Sequence, residues 1–138
     1  MVDQGLVELV QGNATVKSIL GGNPAGFLFQ ALPNSPAYPT WVYSNVSQTL
    51  NTTLQTFKGL RTLRWQVDCL GAPSSLGVDV IALANAIEET LNGFSGILAD
   101  PDSTVVSSCF VIDVRDFFNT AARSYRRMVE FEVMFSQD

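Results

Sequence analysis

Histidine is absent from this 138-residue chain. That removes the side chain most used as a general base near neutral pH and the commonest ligand of transition metals. Cysteine is scarce. Cys69 and Cys109 stand alone in apolar runs with no Cys-x-x-Cys pair, which argues against a zinc site. Free cysteine is among the most buried residue types, so both read as buried thiols. Charge is sparse too: Asp, Glu, Lys and Arg make up 15% of the chain, against about a quarter in ordinary soluble proteins. So little charge leaves surface that other copies can cover. No apolar run approaches the roughly 18 residues of a membrane span. The opening residues, Met1-Val2-Asp3-Gln4-Gly5, lack the basic start and apolar block of a signal peptide. The expectation is a soluble protein made in a cytosol. Basic clusters are missing as well. The net charge is -5 and the longest basic doublet is Arg126-Arg127, so a sequence-reading nucleic-acid binder is not expected. An acidic body is still compatible with a pore through which DNA slides.

What is present fits one domain over residues 1–138. The hydrophobic share is 46%, and this length buries one core without staples. From Asp3 to Leu20, Leu6, Leu9, Val10, Val16 and Ile19 recur roughly on one helical face. Gly12 and Asn13 weaken its middle, and Gly21-Gly22-Asn23-Pro24 stops it. Phe27 to Leu32 reads as a short strand. Pro33, Pro36 and Pro39 then forbid helix or central strand. Thr40 to Leu50 is the next strand, followed by a polar connection from Asn51 to Gly59. Arg61 to Leu70 alternates: Leu63, Trp65, Val67 and Cys69 share one face, and Arg64, Gln66 and Asp68 share the other. The clearest helix runs from about Leu76 to Leu91, with Val80, Leu83, Ala84, Ile87 and Leu91 at steps of three and four. Asn92-Gly93 stops it. After a short strand, Phe94 to Ala99, and a turn at Asp100 to Ser103, Val105 to Phe117 is a strand with Val106, Phe110, Ile112 and Val114 on one face. Asn119 to Ser124 is a polar break. Tyr125 to Phe135 alternates most strictly of all. The order α-β-β-β-α-β-β-β has too few helices for parallel crossovers. The expected class is α+β: an antiparallel or mixed sheet of about six strands with two helices packed on one face.

The chain carries few arrangements suited to catalysis. Gly21 to Gly26 is glycine-rich, but it lies between helix and strand, the reverse of a phosphate-binding loop, and reads as a turn. Glu88 and Glu89 are adjacent on a helix and point about a hundred degrees apart. Asp113 and Asp116 fall on opposite faces of their strand. Glu130 and Glu132 share a face and pair with Arg64 if their strands are neighbours, which is ordinary cross-strand structure. Arg115, Arg123, Arg126 and Arg127 cluster late in the chain. They read as salt bridges on a sheet face or, more sharply, as contacts to a neighbouring subunit or passing phosphate, since the guanidinium fork suits both. Trp41 and Trp65 read as core.

Three segments carry a resemblance. They are Pro39-Thr40-Trp41-Val42-Tyr43, then Arg64-Trp65-Gln66-Val67-Asp68-Cys69 with the helix that follows, and Tyr125-Arg126-Arg127-Met128-Val129-Glu130-Phe131-Glu132-Val133. In that order the chain resembles the tail-completion, or tail-terminator, proteins of long-tailed phages, over about Pro39 to Val133. The serine-rich segment Gly71 to Ser75 departs from the pattern by lacking an aromatic residue after the serine. The resemblance implies a structural virion protein with no catalytic residue and no cofactor. Such a protein forms a ring, usually of six copies, on the head-proximal end of the tail tube. It stops tube growth and joins the tail to the head-side connector, with DNA passing through. The implied partners are copies of itself, the tube protein and the connector or stopper, and the implied location is the tail or neck of a virion assembled in the host cytoplasm. The candidate subunit or lumen contacts are Arg64, Arg115, Arg123, Arg126, Arg127, Glu130 and Glu132. Two other readings stand beside this one: another neck component such as a head-closure protein, and a dimeric α+β ligand-binding domain. An enzyme built on carboxylates or arginine ranks third.

Overall fold

The computed structural model describes residues 2–20, 27–28, 40–53, 56–71, 78–99, 104–119 and 124–136. The expectations placed on residues 21–26, 29–39, 72–77, 100–103 and 120–123, Arg123, the end of the strand expected to Leu32 and the start of the helix expected from Leu76 among them, lie outside the described residues.

The chain begins with two short helices. In α1 (Val2–Gln11), Val2, Leu6 and Val10 sit four residues apart and are buried with Gly5. This is the stripe that a 3.6-residue period turns inward. Gly5 permits close approach, because a Cβ there would come 2.7 Å from the Leu98 Cβ. The helix ends at Gly12. The Asn13 side chain then accepts hydrogen bonds from the backbone of Thr15 at 2.9 Å and Val16 at 3.1 Å. Asn13 therefore caps a new helix, α2 (Ala14–Leu20), which buries Val16 and Leu20. The expectation of two helices is corrected here to three. Gly12 and Asn13, which weaken the middle of the first segment, divide it outright, because the Asn13 side chain competes for the backbone donors that a continuous helix would use.

The strands are β1 (Phe27–Leu28), β2 (Thr40–Thr53) and β3 (Thr56–Leu70), then, after α3 (Val78–Leu91), β4 (Gly96–Ile97), β5 (Val105–Asn119) and β6 (Ser124–Ser136). They form one sheet in the order β1-β2-β3-β6-β5-β4. Five strands run antiparallel, and the two-residue β1 joins β2 in parallel through Val42 and Tyr43. The sheet is mixed, one of the two forms expected. The polar connection expected at Asn51 to Gly59 is corrected: β2 runs into it as far as Thr53, β3 begins within it at Thr56, and the two strands are still paired there. Threonine favours strands as well as turns, and that is why composition misleads there.

The helices cover one face. Trp41, Leu63, Trp65, Val67, Cys69, Val129, Phe131, Val133 and Phe135 meet Leu6, Val10, Val16, Leu20, Leu83, Ile87 and Leu91 in one buried cluster. Trp65 anchors it. Its ring centroid lies 6.4 Å from that of Trp41, 5.5 Å from that of Tyr43 and 6.4 Å from that of Phe131, tying three strands together. Helix α3 ends at Gly93, whose φ of 82° is the left-handed conformation glycine adopts without strain. The Gly93 N–H donates to the Cys109 carbonyl at 2.7 Å and fastens the helix end to β5.

Both cysteines are free and buried. Cys69 lies opposite Arg127 and Cys109 opposite Val133. At about 3.4 Å per residue that separates them by roughly 20 Å along β6, beyond the reach of a disulfide. Burial pushes both thiols up, Cys109 to about 12, so neither is a ready nucleophile.

Candidate functional site

The face of the sheet turned away from the helices carries the charged residues that the sequence singles out. Strand alternation places Arg64, Gln66 and Asp68 there on β3, and Arg126, Met128, Glu130 and Glu132 on β6. Their strands are direct neighbours, with Arg64 opposite Glu132 and Gln66 opposite Glu130. The pairing expected of Arg64 is present: its Nε lies 3.0 Å from Glu130 Oε1. Gln66 Nε2 donates to Asp68 Oδ2 at 2.9 Å, and Arg126 Nε approaches Asp68 Oδ1 at 3.5 Å. Asp68 is 1% exposed. Among the described residues Gln66 and Arg126 are its partners, and Oδ1 has no hydrogen bond of good geometry. Arg126 also lies over the Phe117 ring, 4.4 Å from its centroid, in a cation–π contact.

Arg127 points to the helix side. Its fork donates to Asp116 through Nε at 2.7 Å and a terminal nitrogen at 3.1 Å. This bidentate geometry lowers the Asp116 carboxyl, and raises the guanidinium, from their ordinary values. Arg115 pairs with Asp113 at 2.8 Å on the other side. Asp113 and Asp116 thus serve opposite faces, as the spacing predicts. Glu88 is half-buried and Glu89 exposed on α3. Among the described residues, no three Asp, Glu or Cys side chains are grouped so that they could hold a metal ion.

The feature that sequence reasoning missed is the β4–β5 edge. The expected common face of Val106, Phe110, Ile112 and Val114 is corrected. Bulges between Val106 and Ser108 and between Val111 and Asp113 each insert a residue, which reverses the alternation twice. Val106 is buried, while Phe110, Ile112 and Val114 are 52%, 40% and 41% exposed. Phe117 and Phe118 follow at 42% and 58%, and Ile97 on β4 reaches 70%. The cue was that apolar residues fall on both odd and even positions of the strand, as in Cys109 to Ile112 and Phe117-Phe118, which no single buried face explains. Next to this edge, an open groove of 460 Å³ between α1 and β4 is lined by Leu9, Phe94, Ile97 and Leu98, with Glu8 among them.

Fold and surface together define a class: an α+β protein whose apolar side chains stand exposed along one sheet edge and whose sheet carries four ion pairs among the described residues. The family is then explicit. A model of the family described as tail completion protein gp17 matches residues 4–136, and the chain belongs to that family. It is a structural protein of the phage tail, located in the virion. No curated protein matches the chain. Among solved structures, the fold is shared with a chain of "Virion of native gene transfer agent (GTA) particle", at a TM-score of 0.72 and 12% identity over 97% of this chain and 93% of that one. Among the described residues, no helix is long and apolar enough to cross a membrane.

Proposed function

We propose that residues 1–138 act as one unit that closes into a ring, six copies in the family's usual form, on the head-proximal end of a phage tail tube. The ring stops tube growth and presents the surface that the head-side connector or stopper engages. DNA passes through it without base-specific contact, and the work is done by interfaces rather than by catalysis. Membership of the tail completion family across residues 4–136 carries this reading. The exposed apolar edge of β4 and β5 supports it, since contiguous apolar surface on a soluble protein marks a contact site. Arg64, Arg115, Arg123, Arg126, Arg127, Glu130 and Glu132 remain the candidate subunit or lumen contacts. The β2–β3 hairpin extends past the last β3–β6 pair, Leu60 with Ser136, and is the candidate to reach the tube or connector.

Light scattering on the sized protein, with negative-stain images of it alone and mixed with tail tube protein, tests the reading. Rings, or tubes capped at one end and held at fixed length, are expected. A strict monomer at high concentration that leaves tube growth unlimited contradicts it.

A further inference from the structure

Among the described residues the sheet is open along part of each edge, and the two edges differ in chemistry. On one side, β1 pairs with β2 only at Val42 and Tyr43. Among the described residues no strand covers β2 from Ser44 to Thr53, and Asn45 to Thr49 are all exposed. On the other side, β4 pairs with β5 only at Val105 and Val106. The end of α3 caps two further groups: Gly93 donates to the Cys109 carbonyl, and the Asn92 side chain accepts from the Val111 N–H at 3.1 Å. From Asp113 to Asn119 no described strand covers β5. Among the described residues both edges are only partly protected: β2 bulges between Asn45 and Ser47 and between Asn51 and Thr53, and a bulge between Val111 and Asp113 precedes the β5 edge, but no described strand lies along either. Between Thr40 and Thr53 there is no lysine, no proline and no charge of either sign. Between Asp113 and Asn119 the charged side chains are drawn into ion pairs within the molecule, Arg115 with Asp113 and Asp116 with Arg127, and Val114, Phe117 and Phe118 are left outward. Bare edges of this kind pair with another strand unless something covers them.

We propose that the β5 edge, Asp113–Asn119, of one copy adds to the β2 edge, Ser44–Thr53, of the next, so that the sheets continue from copy to copy. This rests on the ring reading and specifies its interface. The occupant is a second copy of this chain because one molecule carries both halves of the contact. The uncharged β2 edge sets no like charge against Asp113, Arg115 or Asp116, and Val46, 49% exposed, offers apolar surface to the phenylalanines. Pairing β5 with β5 would leave every β2 edge bare and stop at two copies. Pairing β2 with β5 joins different patches head to tail, uses both edges of every copy, and closes into a ring when the rotation allows.

Cysteine cross-linking with tube protein present tests this. Single substitutions Asn45→Cys, Ser47→Cys and Thr49→Cys on β2 are mixed pairwise with Val114→Cys, Phe117→Cys and Phe118→Cys on β5 and oxidised. The natural thiols, buried and poorly ionised, are silent. Cross-links between one β2 variant and one β5 variant, with a ladder ending at the ring size in the matching double variant, are expected. Val114→Lys with Phe118→Lys, or Thr49→Lys alone, should weaken association by about tenfold or more while leaving the circular dichroism spectrum of the monomer unchanged. Cross-links between two β5 variants overturn the proposal in favour of a two-fold dimer. Rings in the images with no β2–β5 cross-link in any pairing overturn the edge assignment and leave the ring reading standing. Neither rings nor cross-links overturn both.

Discussion

The two sides of β6 obey different rules. Toward β3 the alternation of residue types holds: Leu63, Trp65, Val67, Val129, Phe131 and Val133 are fully buried on the helix face, while the other face carries Arg64, Gln66, Asp68, Glu130 and Glu132, of which Asp68 and Glu130 are buried and Arg64 is exposed. Toward β5 it fails. Two bulges reverse the faces, and Phe110, Val114, Phe117 and Phe118 stand in solvent although their types belong in a core. The central strands hold the molecule together, and the edge strand keeps apolar surface exposed that folding alone would have buried or replaced. A side chain costly to leave in water and useless to the fold is best explained by a contact made with something else.

The sharpest way to break this contrast is a matched pair of truncations. Phe131→Ala, in the aromatic cluster, should cost about 3–5 kcal/mol in denaturant unfolding. Phe118→Ala, of the same chemistry on the edge, should stay within about 0.5 kcal/mol. Equal losses would show that the edge phenylalanine belongs to the fold. Next in size is Arg126→Ala, which deprives buried Asp68 of its cation and should cost about 1–3 kcal/mol. An effect near zero would mean that Asp68 needs no more than Gln66.

The smallest expected effect concerns acid. Arg127 holds the Asp116 carboxyl below its ordinary value. The stability this contributes is present above the ordinary carboxylate range and is lost as the pH falls through the lowered value. Asp116→Asn should therefore flatten a small part of the acid limb of a stability–pH curve and leave its alkaline side unchanged. Asp116 is largely exposed, so screening keeps the effect small.

Where each side chain has one fixed neighbourhood, the sequence is easy to read. The Arg61 to Leu70 and Tyr125 to Phe135 alternations place core and charged face correctly, and from them follows the Arg64–Glu130 pair. The α3 stripe and its Asn92-Gly93 stop are equally plain. Bulges are not legible, because an inserted residue leaves no mark in a run of valines and phenylalanines. Nor was the extension of β2 to Thr53 and of β3 back to Thr56, where threonine and asparagine serve strand and turn alike. The proposed assembly surface lies in the segment least legible by periodicity, and for a physical reason: a strand that pairs with another molecule would not be patterned by its own core alone.

Backbone amide hydrogen exchange on the free and ring-assembled protein tests the edge assignment most directly. Slowing confined chiefly to Ser44–Thr53 and Asp113–Asn119, and appearing on both strands together, is the predicted result. Rings whose β2 and β5 edge amides exchange as fast as in the free chain would contradict it.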